Sequence, residues 1–353
     1  MISNAFNIGV SGLQTTQKVV DMLSHNIANA DTPGYKRLEN HNYEINFSGP
    51  DNKPFMPAGV GTTISSASDP WLDKRMNDAL QEKAMNDAVA EGVSDLEKVT
   101  SDSTLEESFT AFMNASQDLQ TEPNNPIYIE RLNQTGQQFT DALNHVDQTF
   151  VQVSETIQHK IDLNNIRLEQ LQRKMAELTS QPNTESVVSE MNYLKQQISQ
   201  VTGSLAGYNK VISSIIPPVT ALYNQAKTEV IDGTNTSYGQ TLIQSNPNGS
   251  FSWNNTTGGG DIHSLVEFGS QKFNWDMGRI KTVVGSMLES ADIGAAFSGQ
   301  NLDATAAAYK DAFGVDLTDQ AVKRQQYQRM YEANAKVIQT ADAMLGTLLN
   351  IFE

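Results

Sequence analysis

Apolar and small residues recur at alternating three- and four-residue steps along residues 2–30: Ile2, Phe6, Gly9, Leu13, Thr16, Val20, Leu23, Ile27 and Ala30. A repeat near 3.5 residues marks a helix that packs along a seam with another helix. Pro33 disfavours α geometry at Thr32, so the helix is predicted to end near Asp31-Thr32-Pro33-Gly34. The period then changes. Tyr43, Ile45 and Phe47 alternate, as do Val60, Thr62 and Ile64, with Gly, Pro and Asn between them. That spacing predicts short strands or extended chain over 41–70.

Helical spacing returns at Trp71, with helices predicted over 71–98 and 103–121, stopping at Glu122-Pro123-Asn124-Asn125-Pro126. A longer run goes from Phe139 through Phe150 and Ile161 to Leu178, a rod of about 60 Å at 1.5 Å rise per residue. Gln181-Pro182-Asn183 breaks it. A second run, Val188 to Ile215, is expected to end at Pro217-Pro218, since neither proline can donate a backbone hydrogen bond. The two runs together predict an antiparallel helical hairpin.

Residues 219–260 are rich in Asn, Gly, Ser and Thr. Thr241 to Ser245 and Ser250 to Trp253, joined through Asn246-Pro247-Asn248-Gly249, read as a β-hairpin, with Gly258-Gly259-Gly260 as a flexible joint. The stretch is expected to be a surface elaboration. Residues 261–312 show no clear period. The last segment does: Tyr327, Tyr331, Asn334, Ile338, Ala341, Leu345, Leu348 and Phe352 form one seam, widened by Met330, Val337, Met344 and Ile351 at seven-residue steps. An apolar face this broad needs a cover.

The predicted fold is therefore mainly α and elongated. A terminal coiled coil pairs 1–38 with 317–353, and an extended connector spans 39–70. A helical bundle is formed by 71–218 with about 261–316, and a small β-containing outer insertion occupies 219–260.

Charge removes several functions. The chain has 41 acidic against 24 basic residues, a field of the wrong sign for nucleic acid. Lys18, Lys36 and Arg37 outnumber Asp21 and Asp31 within 1–38, and the four basic residues of 317–353 balance its four acidic ones, so the excess lies in the middle. Near-neutral ends on an acidic body suit ends that pack against copies of themselves. There is no cysteine, hence no disulfide and no thiolate chemistry. No stretch approaches the length of a membrane span, and no basic region precedes the first apolar residues, so a cleavable secretory signal is not expected. His25, His41, His145, His159 and His263 are far apart, with no metal-ligand spacing, Walker-type loop or dinucleotide fingerprint. No enzyme and no cofactor is expected.

One string is specific. Residues 24–37 read Ser-His-Asn-Ile-Ala-Asn-Ala-Asp-Thr-Pro-Gly-Tyr-Lys-Arg. A helix end and turn would account for the residue types. The order of Asn26, Ile27, Ala28, Asn29, Thr32, Pro33, Gly34 and Tyr35 further resembles the N-terminal signature of bacterial flagellar rod, hook and hook-associated proteins. Residues 325–345 resemble the terminal helix of the same superfamily, and Leu348-Leu349-Asn350-Ile351 resembles the ending of its hook-associated protein 1 branch. A long helical middle also favours that branch over rod and hook proteins, whose middles are mostly β. Tyr35-Lys36-Arg37 is closer to rod and hook usage.

The resemblance implies a structural axial protein, self-assembling at the hook–filament junction and exported by the flagellar type III system to the cell exterior. Its partners would be further copies of itself, the flagellar hook protein and the second junction protein. A cytoplasmic export chaperone would cover Met330, Val337, Met344 and Ile351. Phe6, Leu13, Val20, Leu23 and Ile27 would pair with Tyr331, Ile338, Leu345, Leu348 and Phe352 as the assembly seam. A rod or hook subunit is the alternative, and an unrelated cytoplasmic coiled-coil scaffold the more distant one.

Overall fold

A computed structural model describes residues 2–48, 54–233, 242–247, 250–256 and 263–352. It is mainly α. In chain order the elements are α1 (Ile2–Ala28), β1 (Leu38–Ser48), β2 (Pro54–Ser66), α2 (Pro70–Ser101), α3 (Thr104–Thr121), α4 (Pro126–Thr179), α5 (Glu185–Lys210), a π-helical turn (Val211–Ile215), α6 (Ile216–Gly233), β3 (Ile243–Ser245), β4 (Phe251–Trp253), α7 (His263–Phe313) and α8 (Leu317–Phe352). Among the described residues no helix is long and apolar enough to cross a membrane. The 54 residues of α4 make one rod of about 80 Å. Lys174 on α4 pairs with Glu190 on α5 at 2.6 Å, across the break at Gln181-Pro182-Asn183.

The chain divides into two compact units. The larger comprises Ala79–Leu171 and Ile198–Asn301. Its core is aromatic. Phe112 stacks on Phe139 with ring centroids 5.7 Å apart and meets Trp253 edge-on at 5.5 Å, while Phe109 tilts onto Phe139 at 5.3 Å. Tyr223, Leu242, Ile243 and Phe251 are buried in the same cluster. The terminal unit comprises Met1–Asp78, Gln172–Gln197 and Leu302–Glu353. Its apolar cluster is small: Val19, Met22, Leu23 and Leu38, with Tyr35 and Tyr327 packed against it.

Several expectations change here. Residues 41–70 do not stay as short strands or loop. Leu38 pairs with Ser66 at one end and Ser48 with Pro54 at the other, in an antiparallel ribbon with register shifts after Ile45 and Phe47. Pro217-Pro218 does not end the helical run. The Ile216 N–H donates to the Val211 carbonyl, a five-residue step that restarts the helix and leaves both prolines in the first turn of α6, where a missing donor costs least.

The hairpin of 241–253 forms as expected, with Ile243 opposite Trp253 and Ser245 opposite Phe251, but it is not a surface elaboration. The Asn144 side chain holds its backbone at two points, accepting from the Phe251 N–H at 2.8 Å and donating to the Phe251 carbonyl at 2.9 Å. The Trp253 indole donates to Asn133 Oδ1 at 3.2 Å, and its ring lies where a Cβ on Gly136 would stand, 2.6 Å away. Asn248, Gly249 and the triple glycine lie outside the described residues. Residues 263–313, without a clear period in sequence, form the single helix α7.

Candidate assembly interface

α1 and α8 run antiparallel, with Gly9 facing Ile338, Gly12 facing Asn334 and Asn26 bonded to Gln320. The helices approach closely because the contact is lined with small residues. A Cβ on Gly9 would stand 2.8 Å from Ile338, and one on Gly12 would stand 2.9 Å from the Asn334 amide. The buried stripe of α1 runs through Gly9, Gly12, Thr16, Val19, Leu23 and Asn26. Gly9, Thr16 and Leu23 belong to the seam read from sequence. Leu13, Val20 and Ile27 lie one residue off the stripe and are half-buried, and Phe6 is exposed. β2 lies along α1, where Thr15 Oγ1 donates to the Val60 carbonyl at 2.8 Å and Ser11 Oγ accepts the Val60 N–H at 3.2 Å.

On α8 the buried or half-buried positions are Gln320, Tyr327, Asn334, Ala335, Ile338 and Ala341. Tyr331 and Leu345 are exposed. Met330 (51%), Val337 (43%) and Met344 (53%) stand still further out. The side chains of Leu348, Ile351 and Phe352 lie outside the described residues. The inner side of the pair thus mixes glycine and polar side chains with Val19 and Leu23, while Met330, Val337 and Met344 stand exposed among the charged and polar residues of α8.

The signature string closes one end of this pair. Asn26 is fully buried. Its Oδ1 accepts from the Leu38 N–H and the Tyr35 hydroxyl, both at 2.8 Å, and its Nδ2 donates to the Leu38 carbonyl at 3.0 Å and to Gln320 Oε1 at 2.9 Å. Burial, then the nearby Glu185 carboxylate, push the Tyr35 hydroxyl up to about 12, so it stays a donor. Asn29 and Thr32 build the turn between them. Thr32 Oγ1 donates to Asn29 Oδ1 at 3.2 Å, the Thr32 N–H to the Asn29 carbonyl at 3.0 Å, and the Tyr35 N–H to the Thr32 carbonyl at 3.1 Å. Gly34 has φ +76°, and a Cβ there would run into the Ser189 carbonyl of α5. Both facts require glycine. Ala28 and Pro33 are exposed.

Sequence reading missed the residues that anchor this turn from outside. Lys36, 8% exposed, places Nζ 2.6 Å from both carboxylate oxygens of Asp73 and 4.1 Å from the centre of the Phe313 ring. The Tyr309 hydroxyl donates to the same Asp73 at 3.2 Å, and burial raises its pKa first, with Asp73 adding to the effect. Arg37 donates through its N–H to the Phe313 carbonyl at 2.8 Å and through Nη1 to that of Gly314 at 3.1 Å. No spacing could have joined Lys36 to Asp73, Tyr309 and Phe313, because only the fold brings them together. Gln320 carried no apolar signal at all.

No group of three or more His, Asp or Glu among the described residues could hold a metal ion. Residues 6–36 match the family model described as flagella basal body rod protein, and residues 312–351 match that of the flagellar basal body rod FlgEFG protein C-terminal. No curated protein matches the chain. The two matched segments are the two helices, with their turn, that pair in the terminal unit. The chain thus carries, at its two ends, segments similar to those of flagellar rod proteins.

Proposed function

We propose that this chain is a subunit of the flagellar axis that assembles with copies of itself through the outer side of the α1–α8 pair, and that its place is the hook–filament junction. The observation that carries the assembly reading is the set of large apolar side chains left exposed on α8. Gly9, Gly12, Thr16, Asn26 and Gln320 face inward while Met330, Tyr331, Val337, Met344 and Leu345 stand exposed. Exposed apolar side chains in a row on one helix call for a cover. A head-to-tail contact repeated about an axis supplies one and builds a ring or tube.

The helical middle supports the junction over the rod and hook. On this reading the neighbours are the hook protein and the second junction protein. The chain leaves through the type III route, and an export chaperone covers Met330, Val337, Met344 and Ile351 until assembly. A rod or hook subunit is the second reading. It is favoured by the rod descriptions of both matched models and by Tyr35-Lys36-Arg37.

Deleting the gene separates the readings. Hooks of normal form without filaments are expected for the junction. Rods without hooks would identify a hook subunit, and loss of the rod itself a rod subunit. Intact flagella would overturn all three.

A further inference from the structure

We propose that Asn26 makes docking of α8 conditional on closure of the turn at Asp31–Tyr35, so that the two chain ends pair in one cooperative step. This deepens the assembly reading, whose working surface is the outer side of that pair. The test uses the isolated full-length chain, so a failed coupling and a failed deletion phenotype are separate results.

An amide side chain offers two N–H donors and one oxygen with two lone pairs. Asn26 uses all four. Three of its bonds go to the turn side, to the Leu38 N–H, the Leu38 carbonyl and the Tyr35 hydroxyl, and the fourth goes to Gln320 on α8. The two-point match to Leu38 fixes the plane of the amide, and with the plane fixed the remaining N–H points at Gln320. With the turn open, the amide rotates freely and that aim is lost. A buried N–H left without an acceptor is disfavoured, so α8 docks on an open turn at a penalty.

Linkage makes the effect reciprocal, because whatever closes the turn favours α8 and whatever docks α8 favours the turn. Asn144 provides an internal comparison. It grips Phe251 by the same two backbone bonds, and its partner is the hairpin itself rather than a distant chain end.

The test is amide hydrogen exchange on the full-length chain. The Leu38 amide should be protected in the parent. Gln320→Leu, which removes the bond to Asn26 and leaves both Asn26–Leu38 bonds in place, should speed its exchange by about fivefold or more. Thr318→Ala, at an exposed position on the same turn of α8, should not. In the reverse direction, Tyr35→Phe removes one oxygen from the turn and should speed exchange of α8 amides over 321–341. In an Asn26→Ala background the Gln320→Leu effect should vanish.

An unprotected Leu38 amide in the parent would overturn the proposal. So would unchanged Leu38 exchange in Gln320→Leu, or an effect that persists without Asn26. If Gln320→Leu loses its helical signal altogether, Tyr35→Phe carries the test, and exchange changes confined to the turn would then overturn the coupling.

Discussion

The two units solve the same problem in opposite ways. The larger unit buries aromatic side chains in a continuous cluster that runs from Phe109 and Phe139 through Trp253 to Tyr223. The terminal unit has four buried apolar residues in its cluster and is held by side-chain hydrogen bonds and by an ion pair whose lysine is buried. It keeps many of its large apolar side chains outside, on α8. The larger unit completes a core of its own, although Ile127, Ile293 and Phe297 stay exposed on it. The terminal unit buries glycine, threonine and asparagine beside its few apolar residues while exposing methionine and valine, which is what the proposed assembly would use.

The sharpest way to break this contrast is to damage each unit at its own kind of anchor. Trp253→Ala removes a buried indole from the aromatic cluster and is expected to cost about 3–5 kcal/mol. Calorimetry should show one transition falling steeply while the transition of the terminal unit stays in place. A small loss would contradict the indole's place in that core.

Lys36→Ala comes next. It leaves Asp73, whose side chain is 32% exposed, without its cation, at a solvent-screened cost of about 1–2 kcal/mol. Tyr309 still donates to Asp73, which keeps the loss below that of the indole. The terminal transition alone should fall. Equal losses in both transitions would show that the units do not unfold separately.

The pH response separates the units more gently. Tyr35 holds its proton more tightly folded than unfolded, so its contribution is fully present below 10.0 and is lost as pH rises toward about 12. Tyr35→Phe should flatten the alkaline loss of the terminal transition. In the larger unit, burial alone would raise the Glu91 carboxyl, but hydrogen bonds from Tyr208 and Lys160 outweigh it and leave the pKa below its ordinary 4.5. Its contribution is present above that value and fades as pH falls below it. Glu91→Gln should flatten the acid loss of the larger transition, and a flattened alkaline side would contradict the assignment.

The contrast also explains what could be read from sequence. The aromatic and aliphatic runs of α3, α4 and α5 showed their helices because their buried positions are filled with large apolar residues. α7 did not. Its buried stripe begins with Met277, Ile280 and Val284 but continues through Ser298 and Thr305 before reaching Phe313, so small and hydroxylated residues occupy positions where a hydrophobic period would register. The same substitution of small for large displaced the seam of α1. With Gly12 and Asn26 on the buried stripe, the apolar period pointed to Leu13 and Ile27, one residue away. The Asn26 signature was legible as a string. Its partner Gln320, 294 residues along the chain, was not.

The central claim is that the outer side of α8 is where copies of this chain meet. Met344→Asp tests it most directly, because the side chain is 53% exposed and its replacement should change the stability of the isolated chain by less than about 0.5 kcal/mol. Placed against an apolar neighbour, the same charge is unpaired and strongly disfavoured. The measurement is incorporation of the variant into flagella of a deletion strain, scored by electron microscopy beside thermal unfolding of the purified chain. The account expects unchanged unfolding with no incorporation, and normal incorporation of a normally folded Met344→Asp chain would contradict it.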